Sequence, residues 1–313
     1  MNPLRISVII CTHNPHTARI TRVLRSLMRQ TIDADTWELL LIDNASIPAF
    51  RWPDGSGDDA KLRIISEPML GLTFARRRGV AEARGEFIVF VDDDNVLEPD
   101  YLAQVLAAFH RLPRVGAIGG KSQGEFAAMT EPWQREFFSL LAVRDLGAQE
   151  LYSLPPAPGE TIKEYPACAP IGAGMAVRRT ALDGWVDAAG HSKIYDRAGA
   201  DLSSAGDNDL VLQVLRSGWA VAYIPSLVLT HLIPGTRLHP RYLARLNRGI
   251  QRSWMQVLRL HAINPWPPIP KWSVRLRQLK AWLIYRPWRD PSSYIRWQGA
   301  CGHFEGRTNV RPS

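Results

Sequence analysis

The sequence predicts an α/β domain built on a mixed sheet, followed by a basic helical extension. Short apolar, mostly β-branched runs alternate over the first 230 residues with segments whose apolar positions recur at helical spacing. The strongest run, Phe87-Ile88-Val89-Phe90-Val91, reads as a strand buried on both faces and ends directly in Asp92-Asp93-Asp94. From His231 onward 13 Arg and 2 Lys stand against only Asp290 and Glu305, a net +13, which leaves −5 for residues 1–230 of a chain of net charge +8. Six of the 11 Trp also lie in those last 83 residues.

Taken in order, residues 6–12 form a first buried strand, broken by His13-Asn14-Pro15. Residues 17–30 place Ile20, Val23, Leu24, Leu27 and Met28 on one helical face. Residues 37–42 are a second strand ending on Asp43-Asn44-Ala45-Ser46, and strand–helix–strand order implies a parallel pair with a right-handed crossover. Residues 47–60 read as a solvated loop, 62–65 as a short strand, 67–72 as a turn, and 73–83 as a helix carrying Arg76, Arg77 and Arg78. After the central strand, residues 100–111 form a helix with Leu102, Val105, Leu106 and Phe109 inward. Residues 115–120 form a strand ending in glycines; 121–165 read as irregular, with a mobile Pro-rich segment at 155–159. The small residues of 171–179 permit either close approach to a ligand or a tight core crossing. Residues 183–205 read as a polar loop, 206–216 as a helix stopped by Gly218, and 220–225 as a short strand, with 227–232 leading into His231 and the tail.

Composition sets bounds. Cys11, Cys168 and Cys301 are far apart and form no C-x-x-C pair, so neither a disulfide framework nor a zinc site is expected, in keeping with a reducing cytosol. Residues 1–5 run straight into a strand, so no signal peptide is expected, and no apolar run reaches the ~18 residues of a spanning helix. The expected location is cytoplasmic, peripheral at the inner face of the cell membrane.

Three unpaired carboxylates at the end of a core strand are costly unless something neutralises them. A hard divalent cation shared with substrate phosphates is one answer, and open α/β sheets bind ligands at the carboxyl ends of their strands. The other reading is an acidic turn that caps the next helix.

Several stretches, in this order, resemble the inverting family 2 glycosyltransferases of GT-A fold. They are Ser7-Val8-Ile9-Ile10-Cys11-Thr12-His13-Asn14, Leu41-Ile42-Asp43-Asn44-Ala45-Ser46, Gly71-Leu72-Thr73-Phe74-Ala75-Arg76, Gly85-Glu86-Phe87 through Asp94, Gly206-Asp207-Asn208-Asp209-Leu210 and Arg216-Ser217-Gly218-Trp219. The resemblance spans residues 4–232. It implies a mixed, mainly parallel sheet flanked by helices, a catalytic domain over 1–232 with a Trp-rich helical extension over 233–313, and a nucleotide-sugar donor.

On the resemblance, Asp94 and Asp92 answer to a Mn²⁺ or Mg²⁺ site, with Asp92 nearer the nucleotide ribose and Asp93 able to take either role. Asp43, with Thr12 and Asn14 nearby, answers to the base-contacting position, or else Asp43 is a turn former. Arg76 is similar to the donor-site arginine, whereas Arg77 and Arg78 fall on a solvated face. Asp207 answers to the general base, with Asp209 as the fallback and an N-terminal helix cap as the structural alternative. Where many members have Glu-Asp, this chain has Gly206-Asp207. His231 is a possible metal ligand or a structural histidine, and Arg237 a further diphosphate contact.

In the tail, residues 242–261 read as a helix with Leu243, Leu246, Ile250, Trp254, Val257 and Leu258 on one side and Arg241, Arg245, Arg248, Arg252 and Arg259 on the other. Residues 271–285 read as a second, with Trp272, Leu276, Leu279, Trp282 and Leu283 available to bury. Arg with Trp at this spacing suits an anionic membrane surface, where lipid-linked acceptors sit, or a helical pair packed on the body. Expected partners are therefore the nucleotide-sugar donor, a saccharide or lipid-linked acceptor, and an anionic membrane. A nucleic-acid-binding protein is the alternative from another class, although no binding motif supports it and nucleic acid is not expected. A nucleotidyltransferase would need a Gly-rich phosphate loop near the start, which Cys11-Thr12-His13-Asn14-Pro15 does not offer.

Overall fold

The computed structural model describes residues 4–52, 62–157, 159–189 and 205–308. Most of the loop expected over 47–60, Pro158, and the part of the expected polar loop from 190 to 204 lie outside the described residues.

The chain opens as β1 (Ile6–Thr12), α1 (Thr17–Leu27), β2 (Trp37–Asn44), β3 (Leu62–Glu67), α2 (Leu72–Glu82) and β4 (Phe87–Asp92). β1 pairs in parallel with both β2 and β4, and β2 with β3. Ile6, Val8, Ile10, Leu39, Leu41, Phe87 and Val89 are all fully buried, as a sheet covered on both faces requires. Helix α2 lies tight on this sheet because Gly79 has no side chain: a Cβ there would stand 2.5 Å from Ile9 Cγ2.

β5 (Asn95–Leu97), α3 (Tyr101–Arg111), β6 (Val115–Phe126), β7 (Leu151–Ser153), β8 (Ala176–Arg178), α4 (Asp183–Ala189), α5 (Gly206–Arg216) and β9 (Ala220–Ile233) follow. The sheet order is β3-β2-β1-β4-β8-β6-β9-β5, with β7 also on β9. β8 runs antiparallel to β4 and β6, and β9 antiparallel to β5 and β7, so the sheet is mixed.

Three expectations need correction here. β6 does not stop at Gly120 but runs to Phe126, and residues 121–165 also hold β7 and a 3₁₀ stretch at Pro132–Leu141. The second half of β6 is polar and partly exposed, so its composition imitates a loop. The segments 220–225 and 227–232 are one strand, β9, which passes through Pro225; a proline without its N–H donor reads as a strand end from sequence alone. The stretch from 183 is helical to Ala189. The small residues before β8 form a core crossing: a Cβ on Gly174, at φ +73, would stand 2.5 Å from Tyr101 Oη, which donates to the Gly174 carbonyl at 2.6 Å.

The chain divides into two compact units: Met1–Glu125, Ala142–Lys193 and Leu210–Leu232 in one, and Phe126–Leu141, Ile194–Asp209 and Ile233–Ser313 in the other. The second contains α6 (Pro240–Leu260), α7 (Ser273–Tyr285) and α8 (Pro291–Gly306). The tail thus has a third helix beyond the two expected; its N-cap was visible in Asp290-Pro291-Ser292-Ser293, where Asp290 accepts from the Ser293 N–H at 2.8 Å. Nor do the α6 arginines all face water: Arg248 pairs with Glu305, and Arg259 donates to the Gly306 and Thr308 carbonyls.

α6 and α8 cross closely along Gly299, Gly302 and Gly306. A Cβ on Gly302 would fall 2.1 Å from the Arg248 carbonyl oxygen, and backbone cannot swing aside. Gly302→Ala is therefore expected to destabilise the protein by about 2 kcal/mol or more, measured by denaturant or thermal unfolding.

Candidate active site

Parallel pairing brings three strand ends to one edge of the sheet. The register sets Thr12 opposite Asp43 and Cys11 opposite Asp92. Thr12, at the end of β1, donates its hydroxyl to Asp93 Oδ2 at 2.5 Å. The half-buried Asp93 carboxyl is pushed up to about 6, by burial first and then by Asp94, with the Thr12 hydrogen bond pulling the other way and Asp92 adding to the rise. Burial also pushes the nearby Cys11 thiol up to about 12, against the opposing pull of the Arg76 guanidinium.

Asp94 is buried, and its Oδ1 lies 3.3 Å from His231 Nε2. This contact follows from strand pairing: β5 begins immediately after Asp94 and sets Asn95 opposite His231 on β9. The Leu232 N–H donates to the Asp94 carbonyl at 2.8 Å, locking the two segments together. Residues 137 positions apart in the chain thus join one site, which no local pattern reveals. Among the described residues no group of three or more His, Cys, Asp and Glu side chains forms a ready-made metal cage.

The loops after β1 and β2 are stitched to each other. Asp43 accepts from the backbone N–H groups of Phe50 at 2.8 Å and Ser46 at 3.3 Å, so it holds a turn. Asn14, at φ 49, accepts from the Ile47 N–H at 2.8 Å, and its own N–H donates to the Ser46 hydroxyl at 2.9 Å. His13 Nδ1 donates to the Asn44 carbonyl at 2.7 Å. Asn44 in turn donates to the Met69 carbonyl at 2.7 Å and accepts from the Gly71 N–H at 2.8 Å, fixing the entry to α2. His13, Asn44 and Ser46 received no role from the sequence; the only available signal was a short polar run at each strand end.

Arg76 is buried on the inner face of α2, its guanidinium carbon 5.5 Å from the Phe90 ring centroid. Arg78 instead is exposed and pairs with Glu82 one turn on, at 3.0 Å. Asp207 belongs to the second compact unit, half-buried in the first turn of α5. Asp209, also on α5, is buried and accepts a 2.7 Å bond from His261 Nε2, itself 1% exposed. Asp209 is thus engaged by a buried histidine. Arg237 lies in the 3₁₀ turn after β9.

Carboxylates collected at the carboxyl ends of parallel strands within a mixed, helix-flanked sheet define a GT-A fold. The family model described as glycosyl transferase family 2 matches residues 7–184, more than half of the chain, and the chain belongs to that family. The EpsH protein of Bacillus subtilis (strain 168) is 35% identical over 105 residues, 32% of this chain and 29% of that protein. The cholesterol galactosyltransferase of Borreliella burgdorferi is 29% identical over 106 residues, 31% of this chain and 27% of that protein. The chain thus matches less than a third of the length of these curated relatives. The crystal structure of S. aureus TarS is similar over 94% of this chain and 55% of that one, with a TM-score of 0.51 and 16% identity, a likeness of fold alone.

Proposed function

We propose that this protein transfers a sugar from a nucleotide-sugar donor to a hydroxyl on a saccharide or lipid-linked acceptor, with inversion, in cytoplasmic assembly of a cell-surface or extracellular polysaccharide. Residues 1–232 act as the catalytic domain, and residues 233–313 as its extension. The observation that carries this reading is the convergence of Thr12, Asp43 and Asp92–Asp94 at one sheet edge with His231 brought against Asp94.

Asp94 and His231 already stand 3.3 Å apart, Asp92 ends β4 at the same edge, and carboxylate oxygen with imidazole is a donor chemistry that Mn²⁺ or Mg²⁺ accepts. Asp94, Asp92 and His231 would hold the ion. When bound, it supplies Lewis-acid stabilisation of the charge that grows on the leaving diphosphate. The chain's own groups do the rest. Thr12 holds Asp93 in place; Asp43 and the stitched loops shape the pocket for the base; Arg76 contributes fixed positive charge. Asp207 takes the proton of the acceptor hydroxyl as its oxygen attacks the anomeric carbon from the face opposite the leaving group. The sugar–phosphate bond breaks with its electron pair going to the diphosphate, giving an inverted glycoside and a nucleoside diphosphate.

The test is a screen of UDP-, GDP- and dTDP-sugars for nucleoside diphosphate release with and without Mn²⁺. Release from at least one donor, abolished by EDTA and restored by Mn²⁺, is expected. No release from any donor, with or without acceptor saccharides, contradicts the reading.

A further inference from the structure

Helix α7 turns an apolar stripe to solvent. Trp272, Leu276, Leu279 and Leu283 are 75%, 61%, 56% and 58% exposed, and at 3.6 residues per turn they fall on one narrow face. Ile284, on the flank that carries Lys280, and Trp288, beyond the helix end, are also 64% and 56% exposed. The side chains that the sequence offered for burial are thus the ones left open. The helix instead rests on its small edge, where Ser273 and Ala281 are buried, and the Trp297 indole of α8 donates to the Gln278 carbonyl at 3.2 Å.

The stripe is bordered by exposed cations, Lys280 along one flank and Arg275 along the other, with exposed Arg277 farther round toward Ser273 and Ala281 and exposed Arg286 at the C-terminal cap. Residues 262–289 hold six Arg and Lys and no Asp or Glu. Beside the stripe, Arg277 and Lys280 also line a cleft of about 680 Å³ with Asn247, Gln251 and Arg296, of which Arg296 is neutralised by Glu136. Among the described residues no helix is long and apolar enough to cross a membrane.

We infer that this face docks on an anionic lipid bilayer, with α7 lying in the plane of the interface. The Trp272–Leu276–Leu279–Leu283 stripe enters the acyl boundary, while Arg275, Arg277, Lys280 and Arg286 meet lipid phosphates, Arg277 and Lys280 taking one at the cleft. A second copy of this chain fits less well, because two faces free of acidic residues would meet charge against like charge. Nucleic acid fits less well too, because three of the four stripe residues are leucines, which offer bases little to stack on. The docking stands apart from sugar transfer and is scored without donor or acceptor, so either can fail alone.

The experiment is flotation of the full chain with phosphatidylcholine vesicles, with and without phosphatidylglycerol. Binding only to the anionic vesicles is expected, weakening as salt is raised. The combined Leu276→Ser, Leu279→Ser and Leu283→Ser variant should lose binding about tenfold or more with an unchanged thermal midpoint, since all three are exposed. Arg277→Gln with Lys280→Gln should reduce the preference for phosphatidylglycerol. Brominated lipid should quench tryptophan emission in the wild type and less in Trp272→Phe. Equal vesicle binding by the triple serine variant overturns the inference. So does a dimer that the serines disperse, or binding to single-stranded oligonucleotide, with no vesicle binding in either case.

Discussion

Asp94→Asn is expected to lower kcat about a thousandfold or more while leaving the fold intact, read by steady-state kinetics beside a thermal melt. The size follows from position. Asp94 is the buried member of the triplet and the one that meets His231, so the proposed cation site depends on it most. The sign for stability is opposite to that for activity. Asp94 helps push the Asp93 carboxyl up, and removing its charge relieves that repulsion, so the apo thermal midpoint should hold or rise. A variant that loses activity by unfolding, or that keeps Mn²⁺-dependent turnover, contradicts the role given to Asp94.

The second large effect separates two carboxylates on one helix. Asp207→Asn should lower kcat by about 10²–10⁴ and remove the limb of the pH–rate profile that rises with pH, because a general base must be deprotonated to act. Asp209→Asn should keep that limb and instead cost about 1.5–3 kcal/mol of stability, because it weakens a buried bond to His261. Loss of the rising limb in Asp209→Asn, with full activity in Asp207→Asn, would move the base.

How much of this was legible in the sequence depends on the range of the interaction. The β1, β2 and β4 strands were plain because each is a continuous apolar run, and the carboxylates at their ends needed only the rule that parallel strands share an edge. His231 was suspected, but its partner was not, since β5–β9 pairing is antiparallel and distant in the chain. The Asp209–His261 pair was hidden for the same reason, and with it the ground for setting Asp209 aside. Outer strands misled in a different way. β6 is half polar and β9 contains a proline, so local composition argued for loop where tertiary pairing made strand. In the tail, periodicity found the faces of α7 but not their direction, because an apolar stripe carries the same pattern whether protein or lipid covers it.

The central claim is that the edge formed by Thr12, Asp43 and Asp92–Asp94 receives a nucleoside diphosphate together with a divalent cation. Calorimetric titration of UDP, GDP and dTDP into the wild type and Asp94→Asn, with and without Mn²⁺, tests it most directly. The account predicts that at least one diphosphate binds the wild type only when Mn²⁺ is present and fails to bind Asp94→Asn. Binding of none of them, or binding indifferent to both Mn²⁺ and Asp94, would contradict it.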